Sequence, residues 1–184
     1  MGYGVGGVKK KLLILYSYIL SLGFNFRDMD LYATHLPMLG YIWDWYFRGV
    51  GARVLEFGCG ESSTKFFVER GCDVTSIEMQ DVLWHDRIKA MFPGVDMRLA
   101  LGPDEWRKLA LGNSYDFIFI DGHILTRPEC LNWAFGKAPL VAAHDTQASC
   151  YGWERVMPVG YDILVFKSYG VTTTLFIEEG YRIK

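Results

Sequence analysis

Residues 54–63, Val-Leu-Glu-Phe-Gly-Cys-Gly-Glu-Ser-Ser, read as a buried strand that runs into a glycine turn and then into the start of a helix. Gly58 and Gly60 supply backbone that can turn with positive φ and approach a ligand closely. Ser62, Ser63 and Thr64 are candidates to cap the helix that follows. A carboxylate at Glu56, two residues before the first glycine, suits a ligand carrying amino or hydroxyl groups better than one presenting phosphate. The combination points to an adenosine-containing cofactor, S-adenosylmethionine foremost.

From residue 52 onward, short apolar runs alternate with helix-like stretches, the pattern of a parallel sheet covered on both faces. Strands are expected over 52–57, 73–78, 95–101, 115–121 and 139–144, with helices over 63–70, 82–91, 104–111 and 128–135. The continuous run Phe117-Ile118-Phe119-Ile120 gives the strongest strand signal. Two β-rich runs, 162–167 and 171–177, flank Ser168-Tyr169-Gly170 and read as a hairpin. Ahead of the first strand, 36–48 is expected to be helical and carries Trp43, Trp45, Tyr46 and Phe47. At 184 residues the chain reads as a single domain over 1–184, with an N-terminal helical segment (1–50) and an α/β core (51–184).

Composition removes several function classes. With 51% hydrophobic and 16% aromatic residues the chain is not expected to be disordered. A net charge of −2, with Lys9-Lys10-Lys11 as its one basic run, leaves no footprint for nucleic acid. The four cysteines show no C-x-x-C pair, which fits a reducing compartment and a cytoplasmic location. The apolar run 12–22 after the lysines resembles a signal peptide but falls short of the about 20 residues that span a bilayer. It is expected to be a helix packed on the body or on another subunit, a route to a homo-oligomer, with membrane association left open and no transmembrane anchor expected.

Glu56-x-Gly58-x-Gly60, Glu78 ending the second strand, Asp121-Gly122 ending the fourth and the closing hairpin together resemble the class I S-adenosylmethionine-dependent methyltransferases. The wording is similar to a group of small bacterial, archaeal and viral methyltransferase-like proteins. Those carry Thr-His-x-Pro before the first strand, here Thr34-His35-Leu36-Pro37, and His-Asp-Thr after the fifth, here His144-Asp145-Thr146. The resemblance implies a Rossmann-like α/β fold: a seven-stranded, mostly parallel sheet with a C-terminal antiparallel hairpin and helices on both faces. It also implies a cofactor set of Glu56, Gly58, Cys59, Gly60, Ser63, Glu78, Met79 and Asp121. The glycine turn would hold the methionine part with Glu56 near its amino end, and Glu78 would accept both ribose hydroxyls. Met79 would pack on adenine or else belong to the core, and Leu101 and Gly102 are further candidates on the adenine side.

For catalysis the candidates are Asp121, His144 and Asp145, all at carboxyl ends of strands. Methyl transfer is an in-line displacement, so the residues must align the reactants and remove the acceptor's proton. His144 beside Asp145 reads either as a base near pH 7 or as a hydrogen-bonded pair shaping the loop. Asp121 and Asp145 also match positions that hold a metal in certain sugar O-methyltransferases. His144, standing where those have Glu, reduces the fit to magnesium. His35 is a candidate to touch the acceptor or to pack, His123 to face the pocket, and the Trp43–Phe47 aromatics to line an acceptor wall or fill core. A dehydrogenase is disfavoured because Ser63 stands where G-x-G-x-x-G needs its third glycine. The expected acceptor is a hydroxyl of a small molecule or sugar, with a protein side chain second. The alternative is a cofactor-binding protein that has lost turnover.

Overall fold

The computed structural model describes residues 13–14, 33–102, 104–111, 114–152, 158–168 and 170–181. Its strands are β1 (Leu13–Ile14), β2 (Arg53–Phe57), β3 (Asp73–Glu78), β4 (Asp96–Leu99), β5 (Phe117–Ile120), β6 (Leu140–Ala143), β7 (Tyr161–Ser168) and β8 (Val171–Glu178). They form one sheet in the order β1-β7-β8-β6-β5-β2-β3-β4, in which β8 alone runs antiparallel to its neighbours. The expected seven strands with a closing antiparallel hairpin are therefore present, and β1 adds a two-residue edge. Helices α1 (Leu36–Ile42), α2 (Glu61–Glu69), α3 (Val82–Met91), α4 (Glu105–Leu109) and α5 (Arg127–Ala134) complete the α/β pattern.

Side-chain alternation along the central strands explains the two layers. Phe117 and Phe119 of β5 join Val54, Leu140, Ala142 and Leu175 in a core shared with α1, α2 and α3. Ile118 and Ile120 point to the other face and join Leu55, Phe57, Val141, Ala143 and Phe176 with Trp106 and Leu131. A strand buried on both faces has no reason for a polar residue, which is why β5 and β6 read as unbroken apolar runs. Trp43 is fully buried and meets the rings of Phe66, Phe67 and Phe117 at 5.4, 5.4 and 5.7 Å. That assigns Trp43 to the core; Trp45 is exposed, and none of the Trp43–Phe47 aromatics lines the main cleft.

Two expectations change at the N-terminal side. Leu13–Ile14 is a strand, not part of a helix, and pairs in parallel with Leu164 and Val165 at the outer edge of β7, where unpaired backbone groups offer hydrogen bonds. The rest of the apolar run 12–22 and the lysine cluster lie outside the described residues. The helix expected over 36–48 starts with Pro37 in its first turn and widens into a π-helical turn at Trp43–Phe47, ending at Arg48 with φ 50°. Among the described residues, no helix is long and apolar enough to cross a membrane.

The strand order reverses between β2 and β5, and there the backbone is tightest. Gly58, just past β2, has φ 88°, and a Cβ built on it would lie 2.4 Å from Gly122 Cα and 2.7 Å from the Asp121 carbonyl carbon. Substituting Gly58→Ala therefore combines a positive-φ penalty of about 1–2 kcal/mol with a backbone clash. Gly136→Ala shares the positive φ, at 74°, but meets open space. Urea unfolding is expected to show Gly58→Ala losing well over 3 kcal/mol or failing to fold, and Gly136→Ala losing about 1 kcal/mol. Equal losses would show that the close approach at residue 122 contributes nothing.

Candidate functional site

The sheet ladder itself delivers three chemical groups to one rim. Gly58 N donates to Ile77 O (2.8 Å), Asp121 N to Phe57 O (2.8 Å) and His144 N to Ile120 O (2.9 Å), so the residues just past β2, β5 and β6 stand side by side. A cleft of about 640 Å³ opens above them, lined by the turn from Gly58 to Ser63 together with His35, Glu78, Gln80, Trp84, Arg87, Asp121 and Arg127. Such clefts at the reversal of strand order are where open α/β sheets take ligands.

The glycine turn is built differently from its sequence reading. Gly60 has φ −146°, an extended conformation open to any residue, so Gly58 alone needs the left-handed region. The helix α2 begins at Glu61 with Gly60 as its cap residue and no side-chain cap. Ser63 and Thr64 instead turn inward. Ser63 Oγ donates to Glu56 Oε1, while Thr64 Oγ1 (2.7 Å) and Ser76 Oγ (2.8 Å) donate to Oε2. Glu56 is thereby fully buried beneath the turn and does not line the cleft. Burial pushes its carboxyl up to about 7, against the pull of the three hydroxyls. Its place is that of an anchor under the turn, which corrects the expectation that it would face a ligand's amino end.

Glu78 does reach the cleft. Its Oε1 accepts from the backbone N–H groups of Gln80 (2.9 Å) and Asp81 (3.4 Å), and Oε2 accepts from Cys59 Sγ at 3.3 Å. Burial pushes the Cys59 thiol up, helped by Glu78, so the sulfur stays protonated as a donor. The two backbone donors take both acceptor sites of Oε1, while Oε2 keeps a second lone pair for a ligand hydroxyl. Trp84 Nε1 donates to the Cys59 carbonyl at 2.7 Å and clamps the turn from the side of α3, whose own start is capped by Asp81.

Around Asp121 the organising group is Arg127, a buried guanidinium at the start of α5. It reaches Asp121 Oδ1 (2.9 Å), Asp145 Oδ2 (2.7 Å), the Gly122 carbonyl (2.8 Å) and the His144 carbonyl (3.2 Å). Burial raises the Asp121 carboxyl to about 8, with the Arg127 charge opposing and Asp145 adding to the rise. Asp145, at φ 55°, is held below the usual carboxylate range by its bond to Arg127, against burial. His144 Nε2 lies 3.9 Å from Asp145 and 3.2 Å from Thr34 Oγ1, and Nδ1 lies 2.8 Å from Thr173 Oγ1. Burial lowers its imidazole to about 4. Arg127 takes the Asp145 carboxylate, and burial leaves His144 a weaker base than a free imidazole, so the geometry favours the hydrogen-bonded, loop-shaping reading of the pair. His35 is likewise buried and lowered to about 3 by burial, with His144 contributing; its Nδ1 is 3.7 Å from Asp121 Oδ2.

Gly58, Cys59, Gly60, Ser63, Glu78 and Asp121 therefore meet at the cleft, with His35, while Glu56 lies below it and His144 and Asp145 lie behind Asp121. Met79 packs toward Gly122, whose added Cβ would fall 2.4 Å from Met79 Cε, and is not a cleft wall. Leu101 and Gly102 give their amides to Glu105 (both 2.9 Å), and His123 accepts from Leu125 N; none of the three lines the cleft. Arg127, Trp84, Gln80 and Arg87 were missed in the sequence. Arg127 stands in the first turn of a polar helix, where a charge alone gives no sign of whether it turns inward.

No family model matches the chain, and no curated protein matches it. Solved structures do. The chain is similar to the O-methyltransferase from Bacillus cereus in complex with SAH, with a TM-score of 0.62 and 14% identity over 82% of this chain and 83% of that one. It is similar to the O-methyltransferase TomG from Streptomyces achromogenes in complex with SAM, with a TM-score of 0.55 and 16% identity over 70% and 74%. A third is the ribosomal protein L11 methylase from Lactobacillus delbrueckii subsp. bulgaricus, with a TM-score of 0.58 and 13% identity over 82% and 80%. What the chain shares with them is the class I methyltransferase fold.

The buried Glu56 generates a pH prediction. Its folded-state value near 7 lies above its ordinary 4.5, so its contribution to stability is fully present below pH 4.5 and is lost as pH rises through 7. The unfolding free energy of the wild type minus that of Glu56→Gln is expected to fall by roughly 2–3 kcal/mol between pH 4.5 and 8. A difference that stays flat or grows would reject the assignment.

Proposed function

We propose that this chain is an S-adenosylmethionine-dependent methyltransferase acting on a hydroxyl of a small molecule or sugar. The observation that carries the reading is the cleft at the strand reversal, in which the Gly58–Ser63 turn, the Glu78 carboxylate and Asp121 face one space. The fit rests on acceptor chemistry: Glu78 is buried yet retains a free acceptor site at Oε2 for a ribose hydroxyl, and the turn offers close backbone approach. Carboxylates at the rim suit a cationic sulfonium, and a cleft of about 640 Å³ falls in the range of cofactor sites. When bound, the cofactor supplies an activated methyl group on a positively charged sulfur. The O-methyltransferases among the similar structures support an oxygen acceptor.

The chain's own residues then divide the work. Gly58, Cys59, Gly60 and Ser63 form the turn against the cofactor's amino-acid end, with Glu56 holding Ser63 and Thr64 in place. Glu78 orients the ribose. Asp121, whose raised carboxyl makes it a stronger proton acceptor than a free aspartate, hydrogen-bonds the acceptor hydroxyl and draws its proton as the oxygen attacks. Arg127 fixes Asp121 through Oδ1 and leaves Oδ2 toward the cleft side, where His35 stands. His144 and Asp145 act as positioning groups: one supports Asp121's surroundings as a neutral ring, the other pins Arg127.

Isothermal calorimetry with S-adenosylhomocysteine tests the binding half. Glu78→Ala is expected to weaken affinity at least about tenfold, or about 1.4 kcal/mol; unchanged affinity would remove the ribose assignment. For the chemical half, Asp121→Asn is expected to lower turnover of a hydroxyl acceptor by about a hundredfold or more. Turnover within about twofold of wild type would reject Asp121 as the proton acceptor.

A further inference from the structure

We propose that His35, Asp121 and His144 hold a borderline divalent transition-metal ion such as Zn²⁺, each residue giving one ligand atom. Their ligand atoms lie within 4.8 Å of one another, with His35 and Asp121 lining the cleft and His144 behind them. Bonds of about 2.0–2.2 Å place the ligand atoms of one ion about 3–4 Å apart. His35 Nδ1 and Asp121 Oδ2 already stand 3.7 Å apart, and side-chain adjustment of about an ångström closes the remainder.

His35 supplies an independent sign of a missing partner. Its side chain is only 3% exposed, and neither ring nitrogen has a hydrogen-bond partner among the described residues. Leaving such groups unpaired costs about 1–3 kcal/mol each, so native structures rarely do it without a reason. The neighbouring Thr34 hydroxyl does not serve the ring, because it is engaged with His144 Nε2 at 3.2 Å. The His35 ring is instead steered by packing, 5.2 Å from the ring of Phe119 and edge-on to that of His144 at 5.1 Å.

The surroundings resemble the support that metal ligands receive. Asp121 Oδ1 is held by Arg127, which leaves Oδ2 as the oxygen for an ion. His144 Nδ1 is held by Thr173 Oγ1 at 2.8 Å, which leaves Nε2 to exchange the Thr34 hydroxyl for an ion. Asp145, 3.9 Å from that nitrogen, balances part of the charge although its other oxygen is drawn to Arg127. Two imidazoles and one carboxylate suit zinc-type ions, whereas magnesium takes oxygen ligands. Three protein ligands leave a position open toward the cleft. With the ion present, Asp121 would act on an acceptor hydroxyl through the metal, which lowers the hydroxyl's pKa. That role rests on the methyl-transfer reading; the site itself does not.

Equilibrium dialysis of the chelator-treated, folded chain against Zn²⁺, with Co²⁺ as the spectroscopic substitute, tests the site. One equivalent is expected to bind, with cobalt d–d bands and no thiolate charge-transfer band. His35→Ala, folded by circular dichroism, is expected to lose affinity by about a hundredfold or more, and Thr173→Val, which removes only the outer support, by about tenfold. No stoichiometric uptake, equal uptake by wild type and His35→Ala, or a cobalt–thiolate band would overturn the site. Calorimetry with S-adenosylhomocysteine on the same samples separates the two proposals. Zinc uptake without nucleoside binding rejects the methyl-transfer reading alone, and nucleoside binding without zinc uptake rejects the metal site alone.

Discussion

The contact of Gly58 with Asp121 and Gly122 is the constraint on which the rim depends. Two adjacent parallel strands turn upward at the same point, and their backbones pass so closely that neither side can carry a Cβ without displacement. At Gly58 the obstacle is backbone, which cannot move aside; at Gly122 it is the end of the flexible Met79 side chain. Only because these turns nest do the residues after β2 and β5 open onto one cleft. Beneath the nest, the carboxylate of Glu56 gathers three hydroxyls from the first turn of α2 and from β3, so the glycine turn is braced from below as well as from the side.

Charge at the rim is organised around Arg127. A lone buried guanidinium would be costly, and a cluster of Asp121 and Asp145 without it would be more so. The planar fork meets both carboxylates and three carbonyls at once, a pattern that lysine could not reproduce. One consequence is that Asp145 is withdrawn from His144, which leaves a neutral imidazole against Thr34 and Thr173. Another is that Asp121 presents one bound oxygen and one facing His35. The division of labour among the three rim residues follows from this single cation.

The sheet was legible because its central strands are buried on both faces, which forces continuous apolar runs such as Phe117–Ile120 and makes a charge at their ends conspicuous. Asp121, His144 and Glu78 were found by that contrast. Arg127 was not, since an arginine in the first turn of a polar helix looks the same in sequence whether it faces water or two carboxylates. Nor could the sequence separate a capping serine from one turned inward, and Ser63 and Thr64 turn inward because the buried Glu56 carboxylate requires donors. The pairing of Leu13–Ile14 with β7 joins residues about 150 positions apart, beyond the reach of any local pattern. His35 stood out through Thr34-His35-Leu36-Pro37, but its two unpartnered nitrogens are a property of the folded site alone.

A crystal structure of the chain grown with S-adenosylhomocysteine tests the central claim most directly. Density for the nucleoside is expected in the cleft, with a ribose hydroxyl on Glu78 and the amino-acid end along the Gly58–Ser63 turn. Density in another cavity, or a cleft filled by ordered water at saturating ligand, would contradict the account.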